Sequence, residues 1–151
     1  MSFESFEEII GFAIEKEKEA AAFYTDAAKQ TSFAGVRESL EEMAEEEKKH
    51  QSMLENFSKE NVEVYTIEKI PDLKRSDYLV DIEYEPGMAY PDLLRLAMKR
   101  EEKSLKFYTN FAEGADTEDH KKLFQVLAQE ESKHKLKLET MLDDYMAKQG
   151  D

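Results

Sequence analysis

Six ionisable residues interrupt the apolar stripes of four predicted helices, at positions where leucine would be expected. They are four glutamates and two histidines: Glu17; Glu47 with His50; Glu101; and Glu131 with His134. A buried carboxylate without compensation costs several kcal/mol even after the structure relaxes. Two divalent cations would neutralise four carboxylates held beside two neutral imidazoles. These residue types therefore predict a dinuclear metal site enclosed by helices.

The Glu-x-x-His spacing supports the same interpretation. It places a carboxylate and an imidazole on one face of a helix, so that both can reach one ion. A single pair would be weak support in a chain this acidic, because such pairs also arise by chance. This chain has two pairs, and each of the other two helices has one glutamate on its apolar stripe. That is the six-ligand pattern of di-iron and di-manganese carboxylate bundles.

Apolar residues that recur every three or four positions predict the four helices that position these ligands. Helix A opens on Ser5 and Glu8, which have the spacing of a capping box, and helix C opens on Pro91, a favoured first-turn residue. The ligands lie near the middle of each helix, so antiparallel packing would bring them to the same height. The predicted bounds are about 5–29 for helix A, 33–58 for helix B, 91–113 for helix C and 117–148 for helix D.

Residues 61–90 break the helical pattern. They hold Pro71 and Pro86, two of the three prolines of the chain, together with Gly87. Two helical hairpins that are joined in parallel fashion need a connection as long as the bundle itself. We therefore expect a crossover over 61–90, with one short helix near 76–81.

The two halves of the chain are related by an internal repeat. Residues 13–28 align without gaps on 97–112, and residues 40–50 align on 124–134, with a constant separation of 84 residues between Glu17 and Glu101 and between Glu47 and Glu131. Each predicted ligand has a counterpart of its own type. The repeat predicts an all-α four-helix bundle with pseudo-two-fold symmetry, built as a single domain over 1–151.

Composition excludes several other classes of protein. The chain has no cysteine, which excludes disulfides, thiolate metal sites and thiol catalysis. Acidic residues outnumber basic ones by 35 to 21, and no clustered basic face is visible, so we expect no nucleic-acid partner. Neither a secretory signal nor a long apolar run is present. We expect a cytoplasmic protein that makes no membrane contact.

The hardness of the ligands guides the choice of metal. Carboxylates with one imidazole per ion suit iron or manganese, whereas zinc and copper sites usually have more nitrogen or sulfur ligands. We expect two iron ions, with manganese as the alternative, and zinc can occupy such a site in a purified sample. Iron would support the reduction of hydrogen peroxide or O2, and manganese would support the catalase reaction.

Tyr24 and Tyr108 are candidates for supporting the ligands. They lie seven residues after Glu17 and Glu101 and on the same helix faces. Their hydroxyls could donate hydrogen bonds to ligand carboxylates across the core. The alternative is that each tyrosine satisfies its hydroxyl locally.

Short motifs carry a family resemblance: Glu17-x-x-Ala20-x-x-Phe23-Tyr24, Glu101 with Phe107-Tyr108, Glu47-x-x-His50 and Glu131-x-x-His134. They resemble the motifs of the ferritin-like superfamily and, within it, of the rubrerythrin-related bundles. The likeness spans all four helices. It implies that Glu47 and Glu131 bridge two metals, that Glu17 and Glu101 are terminal ligands, and that each histidine binds one metal.

The chain departs from the rubrerythrin pattern in two ways. An additional carboxylate is typical one turn after the third-helix glutamate, where this chain has Ser104, and this leaves a specialised peroxidase activity open. A rubredoxin module is also typical, and a chain without cysteine cannot have one. The resemblance therefore implies an oxidoreductase that reduces peroxide or O2 with electrons from an external donor such as a rubredoxin-like protein, in a homo-dimer or higher homo-oligomer.

Two further classes of function remain alternatives. One is iron oxidation and storage in a ferritin-like cage, although large-cage ferritins usually have a short fifth helix that is not predicted after helix D. The other is a metal-free structural bundle, in which the core glutamates would be uncompensated.

Overall fold

The computed structural model describes residues 5–57, 62 and 83–149 of the chain. Within these ranges the secondary structure is all-α and consists of four long helices. They correspond to the predicted helices A to D, and α2 ends somewhat earlier than the predicted bound of about 58. The helices are α1 Phe6–Gln30, α2 Ala34–Glu55, α3 Tyr90–Glu113 and α4 Glu118–Gln149.

The chain divides into two compact units, Met1–Asn61 and Val62–Asp151. Helices α1 and α2 pack together in the first unit, and α3 and α4 pack together in the second. Most of the predicted crossover, including the short helix expected near 76–81, lies outside the described residues. The described end of the crossover contains a turn at Gly87, whose φ is +89°. Glycine adopts this conformation readily because it has no Cβ atom.

The first unit is an antiparallel helical hairpin. The Ser5 hydroxyl caps α1 by accepting a hydrogen bond of 3.2 Å from the Glu8 backbone N–H. Only residues 31–33 separate the two helices, so α2 must return alongside α1. The rings of Phe6 and Phe57 lie 6.3 Å apart, which places the start of α1 beside the residues that follow α2.

The second unit is built in the same way. Pro91 lies in the first turn of α3. Backbone N–H groups in the first turn have no partner within the helix, so the missing N–H of proline costs no hydrogen bond there. The rings of Tyr90 and Tyr145 lie 5.2 Å apart and join the start of α3 to the end of α4. At the other end, the rings of Phe111 and Phe124 lie 6.2 Å apart. These two contacts establish the antiparallel arrangement of α3 and α4.

Burial follows most of the predicted apolar stripes. In the second unit, Leu94, Met98 and Leu138 are fully buried on the predicted faces. Leu105 and Met141, which were also predicted to face inward, are only half-buried. No helix among the described residues is both long and apolar enough to cross a membrane.

The end of the second hairpin generates a prediction about alkaline stability. Burial raises the pKa of Tyr90 above the ordinary tyrosine value, and the charges of Asp144 and ionised Tyr145 raise it further. The folded state therefore holds the Tyr90 proton more tightly than the unfolded chain does. This contribution to the free energy of unfolding is fully present below about pH 10 and is lost as the pH rises through the folded pKa. We expect Tyr90→Phe to lose less stability than the wild type in urea unfolding between about pH 9 and pH 11.

A Tyr145→Phe variant is the comparison, because it keeps the Tyr90 hydroxyl and the ring contact and removes only the smallest of the three causes of the raised pKa, so it should keep most of the alkaline loss. Equal alkaline losses in the wild type and in Tyr90→Phe would contradict the assignment of this effect to Tyr90.

Candidate metal centre

All six predicted ligands are buried. Each is at most 3% exposed, although glutamate and histidine are usually among the more exposed residue types. Their helices place them on inward faces at mid-length, in line with buried apolar neighbours. The side chains are therefore shielded from bulk water, as the ligands of an enclosed site would be.

The first hairpin brings three of these side chains together. Helix α1 supplies Glu17, and α2 supplies Glu47 and His50 from one face. The His50 Nδ1 atom lies 3.2 Å from Glu47 Oε1 and 3.6 Å from Glu17 Oε2. One ligand atom from each residue lies within 4.8 Å of the others. These three residues form the first half-site.

The second hairpin repeats this arrangement. Helix α3 supplies Glu101, and α4 supplies Glu131 and His134. The His134 Nδ1 atom lies 3.5 Å from Glu101 Oε1, and a ligand atom of Glu131 lies within 4.8 Å of both. These residues form the second half-site, and its composition matches that of the first.

The geometry of each half-site fits a divalent cation. Two atoms that bind one ion at about 2.1 Å, with an angle of about 90–110° between them, lie roughly 3.0–3.4 Å apart. The nitrogen-to-oxygen distances of 3.2–3.6 Å are close to this range. Two carboxylates beside a neutral imidazole carry a charge of −2, which one such ion cancels. Each hairpin therefore offers the donor atoms, the spacing and the charge for one hard cation.

Tyr24 and Tyr108 are both buried, on the helices that supply Glu17 and Glu101. The Tyr24 ring meets the Phe23 ring edge-on at 5.3 Å, and the Tyr108 ring stacks on Phe124 at 6.2 Å. Their exposed fractions are 1% and 2%. The rings are thus held by packing, and the hydrogen bonds from their hydroxyls to ligand carboxylates stay a prediction.

Three buried polar residues on α4 were not predicted to face inward. Gln129, Lys135 and Glu139 are 7%, 6% and 0% exposed. Their types are those of a solvated helix face, and the equivalent residues of the first hairpin include the exposed Glu45 and Glu55. The internal repeat therefore held no signal for their burial.

The carboxylates of the half-sites generate a stability prediction. We expect Glu47→Gln to stabilise the metal-free protein, because it removes one of two neighbouring buried charges. The gain is on the order of 1–3 kcal/mol, or roughly 2–4 °C in Tm for each kcal/mol in a chain of this size. The same change should reduce the rise in Tm that Fe(II) produces under anaerobic conditions.

Glu41→Gln is the matched control, since it removes the same charge from an exposed position of the same helix. It should change the stability by no more than about 0.5 kcal/mol. A metal-free Glu47→Gln protein that melts below the wild type would argue against repulsion between the buried carboxylates.

Comparison with known proteins identifies relatives over most of the chain. The sequence model of the rubrerythrin family matches residues 8–82 and 92–150. Among solved structures, the chain is similar to a hypothetical protein from Pyrococcus furiosus, with 29% sequence identity and a TM-score of 0.68. That match covers 93% of this chain and 89% of the other. The comparison with curated proteins found no match.

The family match spans all four helices and both half-sites. The structural match covers nearly the whole of both chains, so it describes the fold of the entire protein and not of one hairpin. Both agree with the fold predicted from the spacing of apolar and ionisable residues. The chain belongs to the rubrerythrin family and has an all-α, ferritin-like four-helix-bundle fold.

Proposed function

We propose that this protein is a non-haem di-iron oxidoreductase of the rubrerythrin type. It reduces hydrogen peroxide or O2 with electrons from an external donor. The observation that carries the proposal is the convergence, in each hairpin, of two carboxylates and one imidazole that are buried away from water. Membership of a family with a di-iron centre supports the joining of the two half-sites into one dinuclear site.

The roles of the ligands follow from the family and from the repeat. The matching composition of the two half-sites supports two metals with equivalent surroundings. The family resemblance implies that the carboxylate of each Glu-x-x-His pair would contact both ions and that each single glutamate would contact one. We therefore assign Glu47 and Glu131 as bridging ligands, Glu17 and Glu101 as terminal ligands, and His50 and His134 as one ligand to each metal.

The donor set favours iron and leaves manganese as the alternative. Four carboxylates and two imidazoles are hard ligands, and zinc or copper sites usually contain more nitrogen or sulfur. An iron pair bound here would supply the two electrons that reduce one hydrogen peroxide molecule, and a manganese pair would support peroxide disproportionation. The chain itself contributes a set of oxygen and nitrogen atoms that are buried away from bulk water.

The positions one turn after the terminal ligands bear on the reaction. Ala20 follows Glu17 by three residues, and Ser104 follows Glu101 by three residues. Neither residue provides the additional carboxylate that is typical of rubrerythrins. The two half-sites are therefore alike in lacking this carboxylate, which counts against a specialised peroxidase activity.

Iron oxidation and storage of the ferritin type would use the same donors. The two functions differ in the fate of the iron, because a storage protein accumulates it whereas an oxidoreductase retains two ions per chain. They also differ in assembly. We propose a homo-dimer or a small homo-oligomer, and the cytoplasmic location expected from the sequence stays a prediction.

The ligand assignment predicts the behaviour of a double variant. We expect His50→Ala combined with His134→Ala to lose most bound iron, because each metal loses its only nitrogen ligand. Metal analysis should show about two ions per chain in the wild type and well under one in the variant. Chelation should lower the Tm of the wild type and leave that of the variant unchanged, since only a bound ion stabilises the folded state.

His120→Ala is the control for the loss of an imidazole. His120 is the third histidine of the chain and lies in the first turn of α4, away from both half-sites in sequence. A double variant that still binds two ions and still melts lower after chelation would show the ligand assignment to be wrong.

The proposed reaction predicts how the reduced protein responds to oxidants. We expect the iron-loaded, anaerobically reduced protein to consume hydrogen peroxide or O2 repeatedly when a reductant is supplied, while the iron content stays at about two ions per chain. Oxidant consumption, iron analysis and size-exclusion chromatography together make the measurement. A large particle that accumulates iron far beyond this ratio would instead establish the storage function.

A further inference from the structure

A groove lies on the surface of the first hairpin, between α1 and α2. Its volume is 370 Å³, and the side chains around it include Lys18, Lys29 and Lys48. Ala21 and Ala22 line its floor, and their small side chains leave the space open. We call this feature the lysine groove.

One end of the lysine groove, at Lys18 and Lys48, lies over the same helical turns as the first half-site. Lys18 follows Glu17 in sequence, and Lys48 follows Glu47. Consecutive residues of a helix point about 100° apart around a cylinder roughly 10–12 Å across, so the groove and the ligands occupy adjoining faces of the same helices. A group seated between Lys18 and Lys48 would lie within about 10 Å of the ligand side chains.

The groove also differs in charge from the rest of the chain. The protein carries a net charge of −14, whereas three ammonium groups and only one carboxylate, that of Asp26, line the groove. Glu15 and Glu45 pair with two of the lysines at 3.4 Å and 3.2 Å. All four of these side chains are about half exposed or more, so each pair contributes little and can open to another partner.

The second hairpin does not repeat the groove. At the positions of Lys18, Lys29 and Lys48 it has Glu102, Glu113 and Ser132. Leu105 and Lys106 stand where the first hairpin has the small residues Ala21 and Ala22. Lys135 stands where the first hairpin has Gln51, and it is only 6% exposed. The groove is therefore a local departure from a repeat that preserves every predicted ligand.

We propose that the lysine groove is the docking site of the external electron donor, a small acidic redox protein whose surface carboxylates contact Lys18, Lys29 and Lys48. This inference rests on the proposed function. An acidic partner is repelled by most of a chain with net charge −14, so a small basic groove would select its orientation. Docking there brings the donor close to Glu17 and His50.

The redox balance of this step is simple. Each docked donor is oxidised by one electron, which passes to the metal centre. Two such events, with two protons from water, reduce one hydrogen peroxide molecule to two water molecules. The groove residues take part in neither the proton transfer nor the breaking of the O–O bond. Their role is limited to binding and orienting the donor.

Charge reversal of the groove tests the proposal. The groove variant carries Lys18→Glu, Lys29→Glu and Lys48→Glu. The control variant carries Lys103→Glu, Lys106→Glu and Lys121→Glu, which change three exposed lysines of the second hairpin and give the same net charge. The probe is a reduced acidic rubredoxin, whose oxidation in the presence of hydrogen peroxide is followed by its own visible absorbance.

We expect the rate of rubredoxin oxidation at low ionic strength to fall by about tenfold or more in the groove variant and by less than about twofold in the control. Added salt should lower the rate of rubredoxin oxidation by the wild type and reduce the difference in rate between the wild type and the groove variant. Protein that has been reduced with dithionite and then freed of excess reductant needs no docking, so hydrogen peroxide should oxidise its iron at equal rates in all three proteins. Titration of oxidised rubredoxin into the metal-free proteins should show binding to the wild type and the control, and none to the groove variant.

A triple Lys→Gln variant at the same positions distinguishes an effect of charge from misfolding of the groove variant. It removes the three charges without reversing them, so it should oxidise rubredoxin at an intermediate rate. Equal rates and equal binding in the groove and control variants would overturn the docking site. If neither hydrogen peroxide nor O2 oxidised the iron of the pre-reduced wild type, the proposed function would fail, and the metal-free titration would still decide whether the groove binds an acidic protein.

Discussion

Repulsion between buried carboxylates is the constraint on which this structure depends. Each hairpin holds two of them beside a single imidazole, with the side chains at most 3% exposed. Neutral apolar residues at these positions would give a more stable protein, since buried ionic groups often cost more than they return. The chain keeps the charged residues in both halves of its repeat, and a pair of cations gives that arrangement a physical reason.

Much of the fold and of the candidate site could be predicted because both depend on periodicity. Glu17 and Glu101 were recognisable since they fall where a helix would otherwise place leucine, and the Glu-x-x-His pairs since their spacing matches one helical turn. The fold class follows from the same pattern and is confirmed by the family and structural matches.

Other features depend on tertiary packing and could not be predicted from the spacing of apolar and ionisable residues. Lys135 and Glu139 have the residue types of a solvated surface, yet both are buried. Leu105 has the type and position of a core residue but is only half-buried. The lysine groove was also not predictable, because its lysines are scattered among many charged residues and only the packing of α1 against α2 brings them together.

The aromatic contact at the end of the second hairpin has a consequence for the ligands in the middle of it. Tyr90 and Tyr145 join the first turn of α3 to the last turns of α4. If α4 slid along α3 by one helical turn, about 5.4 Å, the two rings would part and His134 would move out of reach of Glu101. The aromatic contact at the helix ends therefore helps to hold the register that places His134 beside Glu101.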